Sequence, residues 1–223
     1  MRTAPRQLAL ALDHPESFAR EDFLSGPTNA AALALIEAWP AWPHRSVILI
    51  GPEGSGKSHL AAIWAQLAGA RQVAARVLEE SAVPASLATG AVVVEDVAVG
   101  AFDERALFHL LNLAAEESAF VLLTGRVAPV GVSIRDLASR LRALPVVTMA
   151  TPDDALLRAV LVKLFADRQL AVDESLISYL AVRIDRSFAA VRTLVDRLDD
   201  EAMRQKRPLT RSFAAEFLRT ARA

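Results

Sequence analysis

The chain lacks cysteine entirely in its 223 residues, which excludes disulfides and thiolate metal sites and suits a reducing compartment. Its four histidines, His14, His44, His59 and His109, are scattered without metal-ligand spacing. An excess of charge of either sign is missing too: 25 Lys and Arg against 26 Asp and Glu leave a net charge of −1, so no strong global field recruits nucleic acid or an acidic membrane. No apolar run reaches membrane-spanning length and the first residues lack a signal-peptide profile, so a cytoplasmic protein without membrane contact is expected. Internal repeats, low-complexity stretches and long linkers are absent as well. What the chain has is apolar residues, 53% of the total, ample for a buried core in one module of two subdomains.

Gly51-Pro52-Glu53-Gly54-Ser55-Gly56-Lys57-Ser58 fits G-x-x-x-x-G-K-[ST], a phosphate-binding loop. Its three glycines let the backbone curl so that several N–H groups point at one anion. Lys57 would reach the outer phosphates and the Ser58 hydroxyl would ligate Mg²⁺. The apolar run 46–50 before the loop reads as a buried strand. After it, Leu60, Ile63, Trp64 and Leu67 share one helical face. That helix would start under the phosphates with the positive end of its dipole toward them. Binding of ADP or ATP with Mg²⁺ is the expectation.

The rest of the chain reads as alternating strands and helices. Thr28 or Asn29 caps a helix to about residue 38, and Pro40 and Pro43 end it. A second strand is expected at 72–75 and a third at 91–94, followed by Glu95 and Asp96. Apolar residues ending in two acids form a Walker B pattern, one acid organising water around Mg²⁺ and the next orienting the attacking water. A helix over 103–118, a fourth strand over 119–123 and a fifth over 146–149 complete a parallel sheet covered on both faces. Thr124 closes the fourth strand, where a polar side chain would lie beside the γ-phosphate. From residue 151 the pattern is helix only, with Thr151 as cap, Pro152 at the first helical position and three further helices after it. The expected class is α/β, a five-stranded parallel sheet over 17–150 followed by an all-helical lid over 151–223. Residues 1–16 contain Gln7-Leu8-Ala9-Leu10-Ala11-Leu12, which on its own reads either as a strand or helical turn packed on the domain or as a peptide that docks in a partner's pocket.

The order of these motifs carries more than any one of them. The phosphate loop with His59-Leu60 after it, the Walker B acids, Phe108-His109 with Asn112, Thr124-Gly125, Ser139-Arg140-Leu141 and a helical lid resemble the AAA+ domain of the bacterial replication initiator DnaA. The likeness is closer still to its short relatives, the Hda regulators, and it spans Gln7 to Leu218. It implies that Gln7, Leu8, Leu10 and Leu12 bind the sliding clamp of the replicase, so that DNA is met only through the clamp. It implies that His59 belongs with the nucleotide site and that Thr124 is the first sensor. It implies that Arg140 is an arginine finger acting in the site of a neighbouring DnaA, a contribution worth roughly 10³-fold or more. The function implied is regulatory inactivation of DnaA by stimulated ATP hydrolysis, with a homodimer left open.

The chain departs from the family in places. Glu95 stands where Asp is usual, so weak hydrolysis by this chain itself is expected. Arg126 follows Thr124-Gly125 where Asp is common, and the second sensor arginine aligns with Ala189, leaving Arg192 as its candidate substitute. The short stretch between the second and third strands leaves no room for an origin-gripping insertion, and the chain is expected to end where a DNA-binding domain would begin. A DNA-associated AAA+ ATPase, such as a helicase loader or origin factor, is the alternative, opposed by the near-neutral charge. A small-molecule kinase is opposed by the helical lid and by Ser139-Arg140 before the fifth strand.

Overall fold

The computed structural model describes residues 18–220, which divide into one compact unit from Phe18 to Pro152 and another from Asp153 onward. The first unit runs α1 (Ala30–Glu37), β1 (Ser46–Ile50), α2 (Lys57–Ala68), β2 (Arg71–Ala74), α3 (Val83–Leu87), β3 (Ala91–Glu95), α4 (Glu104–Glu116), β4 (Phe120–Gly125), α5 (Arg135–Ala143) and β5 (Val146–Thr148). Its strands form one sheet in the order β2-β3-β4-β1-β5, with every pair parallel. The expected α/β class with a five-stranded parallel sheet is therefore what the chain builds.

Strand composition follows strand position. The inner strands β1, β3 and β4 are near-continuous apolar runs because helices cover both faces. Edge strands β2 and β5 carry exposed residues. Ile48, Val92, Val94, Val121 and Leu123 pack toward α3, α4 and α5. Val47, Leu49, Val93 and Leu122 pack toward α1 and α2, where Trp64 stacks on Trp42 with ring centroids 4.9 Å apart. Register pairs Ile50 with both Gly125 and Thr148, and Val94 with Leu123, so the carboxyl ends of adjacent strands come into line.

The structure revises several local expectations. Leu67 is 53% exposed and leaves the apolar face assigned to it. The buried stripe of α2 is set instead by Leu60, Ala61, Ile63, Trp64 and Ala65, and the last turn emerges into solvent before Gly69, which closes the helix at φ 64°. The alanines bring this helix close to the sheet, and a stripe drawn through large residues alone misses them. Asn29 precedes α1 but does not cap it. Its buried amide accepts from Gly26 N–H at 2.8 Å and donates to the Leu24 carbonyl at 3.0 Å, tying down the loop before the helix. The second strand begins at Arg71, one residue early, and the fifth ends at Thr148.

The second unit contains α6 (Asp154–Asp167), α7 (Glu174–Ala181), α8 (Phe188–Gln205) and α9 (Arg211–Thr220). The cap of α6 is Asp153, whose carboxylate accepts from Leu156 N–H at 2.8 Å, rather than Thr151. Two cap residues compete there, and the charged acceptor at a helix amino terminus prevails. Asp173, Ser187 and Thr210 accept in the same way at the starts of the next three helices. Leu157, Leu161, Phe165, Leu180, Val195 and Phe213 fill this unit's core, with Val160 and Leu164 packed half-buried against it. Among the described residues, no helix is long and apolar enough to cross a membrane.

One long-range contact positions α5. No side chain of its own caps it, and the Glu104 carboxylate accepts from Ser133 N–H at 2.8 and 2.9 Å and from Ile134 N–H at 2.9 Å. These bonds to the charged form hold the Glu104 carboxyl below its ordinary range. A depressed folded value contributes stability that is present above the unfolded pKa, about 4.3, and is lost as pH falls through the folded value. Glu104→Gln should lower the thermal midpoint at pH 7 and flatten its decline below about pH 4.3, as read by melts across an acid series. An unchanged profile would show that the bonds to Ser133 and Ile134 do not hold α5.

Candidate nucleotide-binding site

The loop between β1 and α2 begins at Gly51, whose N–H donates to the Gly125 carbonyl at 3.1 Å. A side chain at Gly51 would lie 2.6 Å from the Met149 carbonyl oxygen, so only glycine permits this approach. Gly54 and Gly56 adopt φ of 72° and 96°, the left-handed region that other residues enter at a cost. The curl leaves the Ser55 hydroxyl oxygen buried without a hydrogen-bond partner. Lys57 is 8% exposed, and its ammonium donates to the carbonyls of Gly51 and Pro52 at 2.9 and 2.8 Å. Burial pushes its pKa down; Asp96 and Glu53 pull the other way and Arg126 adds to the fall. An anion in the loop would supply the negative charge this desolvated ammonium needs. Ser58 is exposed in the first turn of α2.

The acids stand at the end of β3. Glu95 has one carboxylate oxygen, Oε1, buried without a partner. Asp96 turns the chain at φ 58°, a conformation tolerated better by Asp than by most residues. Thr124, 1% exposed at the end of β4, fixes that turn. Its hydroxyl accepts from Asp96 N–H at 3.3 Å and its carbonyl accepts from Val97 N–H at 2.8 Å. A hydroxyl that accepts here still has a hydrogen to donate. Gly125 is required for the same approach, since a side chain there would meet the Val97 carbonyl at 2.9 Å. A cleft of about 290 Å³ opens beside these residues, lined by Arg76, Glu95, Asp96 and Arg126 with Ala74, Ala75, Ala98 and Ala101.

Lys57, Ser58, Glu95, Asp96 and Thr124 thus gather at the carboxyl ends of β1, β3 and β4 and in the turns that follow them. The orphaned Ser55 and Glu95 oxygens and the glycine cradle fit a polyphosphate with its cation. No group of three or more His, Asp or Glu side chains able to hold a metal occurs among the described residues. A Mg²⁺ ion here would therefore rest on Ser58, Glu95, phosphate oxygens and water. His59 makes a different contact. Its Nε2 lies 3.1 Å from the Ala19 carbonyl oxygen, and its ring meets Phe18 and Phe23 edge-on, at 5.5 and 5.3 Å. It holds the segment before α1 against the first turn of α2. Arg140 is exposed on α5, with its guanidinium carbon 5.7 Å from the centroid of the Phe108 ring on α4. Arg192 is half-buried on α8 of the helical unit. Gln7, Leu8, Leu10 and Leu12 lie outside the described residues. One contact was not anticipated: Arg126 pairs with Glu53 of the loop. The residue itself stood out in the sequence, but its partner is 73 positions away.

Comparison of the sequence with models of known families and with curated proteins finds no match. Solved structures do match, and the likeness is one of fold: the five-stranded parallel sheet with its helices matches that of AAA+ modules. More particularly, the chain is similar to domain III of the replication initiation protein DnaA from Thermotoga maritima, with a TM-score of 0.75 and 17% identity over 91% of this chain and 96% of that one. DnaA from Aquifex aeolicus, solved bound to AMPPCP, gives a TM-score of 0.64 and 20% identity over 80% of this chain and 64% of that one. The Thermotoga maritima RuvB Holliday junction branch migration motor gives a TM-score of 0.72 and 17% identity over 92% of this chain and 72% of that one.

Lys57→Ala should remove most of the affinity for ADP and ATP, because the loop loses its buried cation. Calorimetry showing unchanged affinity would overturn the site. Gly51→Ala should weaken binding and lower the thermal midpoint together, since the backbone of Met149 must give way. A midpoint and affinity both equal to wild type would contradict the close approach.

Proposed function

We propose that this chain is a nucleotide-binding AAA+ regulator of replication initiation. It docks on the sliding clamp through Gln7, Leu8, Leu10 and Leu12 and stimulates ATP hydrolysis by DnaA. The observation that carries the reading is a division of labour on one module. The phosphate loop and acids gather at the strand ends, while Arg140 is presented on α5 against Phe108. A guanidinium exposed in this way can complete a site on another molecule. The similarity to domain III of DnaA over nearly that domain's whole length supports a partner built on the same plan.

Within this chain, the loop N–H groups and Lys57 bind the phosphates, Ser58 and Glu95 hold the cation, and Thr124 keeps Asp96 in place. The cation, when bound, neutralises charge on the outer phosphates. Glu95 is longer than the usual Asp and keeps one oxygen buried, so Asp96 has an imperfectly placed neighbour for orienting water. The nucleotide is then mainly a structural ligand, and hydrolysis by this chain alone should stay below about 1 s⁻¹. A faster steady-state turnover would show that Glu95 serves as well as Asp. In the partner's site, Arg140 stabilises charge developing as the γ-phosphoryl group passes to water, giving ADP and phosphate.

The test is single-turnover hydrolysis of labelled ATP on DnaA with clamp-loaded DNA. Arg140→Ala should retain nucleotide and clamp binding yet lose stimulation by roughly 10³-fold. Lys should rescue poorly, because a point charge does not reproduce the planar fork. Full stimulation by Arg140→Ala would remove the finger and the regulator reading with it. Deleting residues 1–16 should abolish clamp capture and leave nucleotide affinity intact. Clamp binding retained after the deletion would overturn the docking segment.

A further inference from the structure

Arg126 has a place that the family pattern does not account for. It follows Gly125, whose carbonyl accepts from the Gly51 N–H, so it leaves β4 beside the start of the phosphate loop. Its guanidinium pairs with Glu53, the third residue of that loop. It also lines the cleft together with Arg76, Glu95 and Asp96. Its charge is felt at the Lys57 ammonium. One arginine thus borders the phosphate cradle, the lysine and both acids. The outermost phosphate of a bound nucleotide would bring its charge to this junction.

We propose that Arg126 distinguishes nucleoside triphosphate from diphosphate, its guanidinium pairing with Glu53 when the third phosphate is absent and turning to that phosphate when it is present. This rests on the nucleotide-binding reading above. The pair to be broken is weak: the two side chains are 70% and 77% exposed, and such ion pairs contribute little. A phosphate offers two or more oxygens to the planar fork and carries more charge than one carboxylate. Glu53 is an anion of the same loop, so a third phosphate would repel it and the exchange would also relieve a like-charge contact. Glu53 acts in this scheme as a restraint that competes with the third phosphate and reduces the preference for ATP. An arginine suits this position next to Glu95 and Asp96, because a third phosphate beside two acids needs a further cation.

The test is calorimetric titration of the full chain with ADP and with the non-hydrolysable analogue AMPPCP, each with Mg²⁺. Wild type, Arg126→Ala, Glu53→Gln and the double variant are compared. Arg126→Ala should lose about tenfold in AMPPCP affinity, one charge-assisted contact, while ADP affinity changes by less than about twofold. Glu53→Gln should raise the preference for AMPPCP over ADP, and the rise should vanish in the double variant. Equal losses for both ligands in Arg126→Ala would make the pair a structural latch and overturn the proposal, as would an unchanged ratio. Wild type binding neither ligand would overturn the nucleotide reading and this inference together. Wild type binding both, with the ratio unmoved by Arg126→Ala, would overturn the inference alone.

Discussion

Hydrogen bonding along both sides of the end of β4 is the constraint on which the site depends. On one side Thr124 takes the N–H groups of Asp96 and Val97, fixing the turn that carries the acids. On the other, the Gly125 carbonyl takes the Gly51 N–H and fixes where the phosphate loop begins. Neither approach tolerates a side chain at Gly51 or Gly125. The central position of β4, between β3 and β1, makes both contacts available to one short segment. The strand order is therefore a statement about chemistry. It sets an anion cradle beside two carboxylates, with a buried threonine between them.

This arrangement explains why the cradle carries unsatisfied groups. Ser55 and Glu95 each keep a buried oxygen without a partner, and Lys57 is desolvated and rests on loop carbonyls. Buried polar atoms are ordinarily paired; among the described residues Trp39, Trp64, His109 and Asn112 also keep an unpaired buried atom, and Ser55 and Glu95 are the two that belong to the loop and the strand ends around Lys57. Arg140 follows the opposite rule. It is exposed, with the Phe108 ring behind it, on a helix whose start is held by Glu104. The Arg126–Glu53 pair lies between these extremes, at the surface but against the loop, where a change of ligand charge would be felt first.

Features encoded locally were legible in the sequence. The strand, loop and helix around Lys57 read directly, because glycine spacing and apolar runs act over a few residues. The inner strands read from continuous apolar runs, and the helices of the second unit from their stripes. Expectations failed where partners are distant or alternatives compete. Leu67 has the right spacing for a buried face, but Ala61 and Ala65 share that face with Leu60, Ile63 and Trp64, and the last turn of α2 runs out into solvent. Thr151 and Asp153 both suit a helix start, and only geometry shows which accepts from Leu156. Arg126 and Glu53 lie 73 positions apart, so no local pattern joins them. His59 meets Ala19, 40 positions earlier, together with Phe18 and Phe23, a contact that no local pattern announces.

The central claim is that this first unit is built to hold a nucleotide, and ligand-linked stability tests it without any substitution. A ligand bound only by the folded state raises stability as its concentration exceeds the dissociation constant, by about 2.7 kcal/mol at a hundredfold excess. The measurement is the thermal unfolding midpoint of the wild-type chain titrated with Mg²⁺–ADP. The account predicts a midpoint that climbs steadily with the logarithm of nucleotide concentration and does not move with Mg²⁺ and inorganic phosphate at the same levels. A midpoint that stays constant up to about a millimolar of ADP would contradict it.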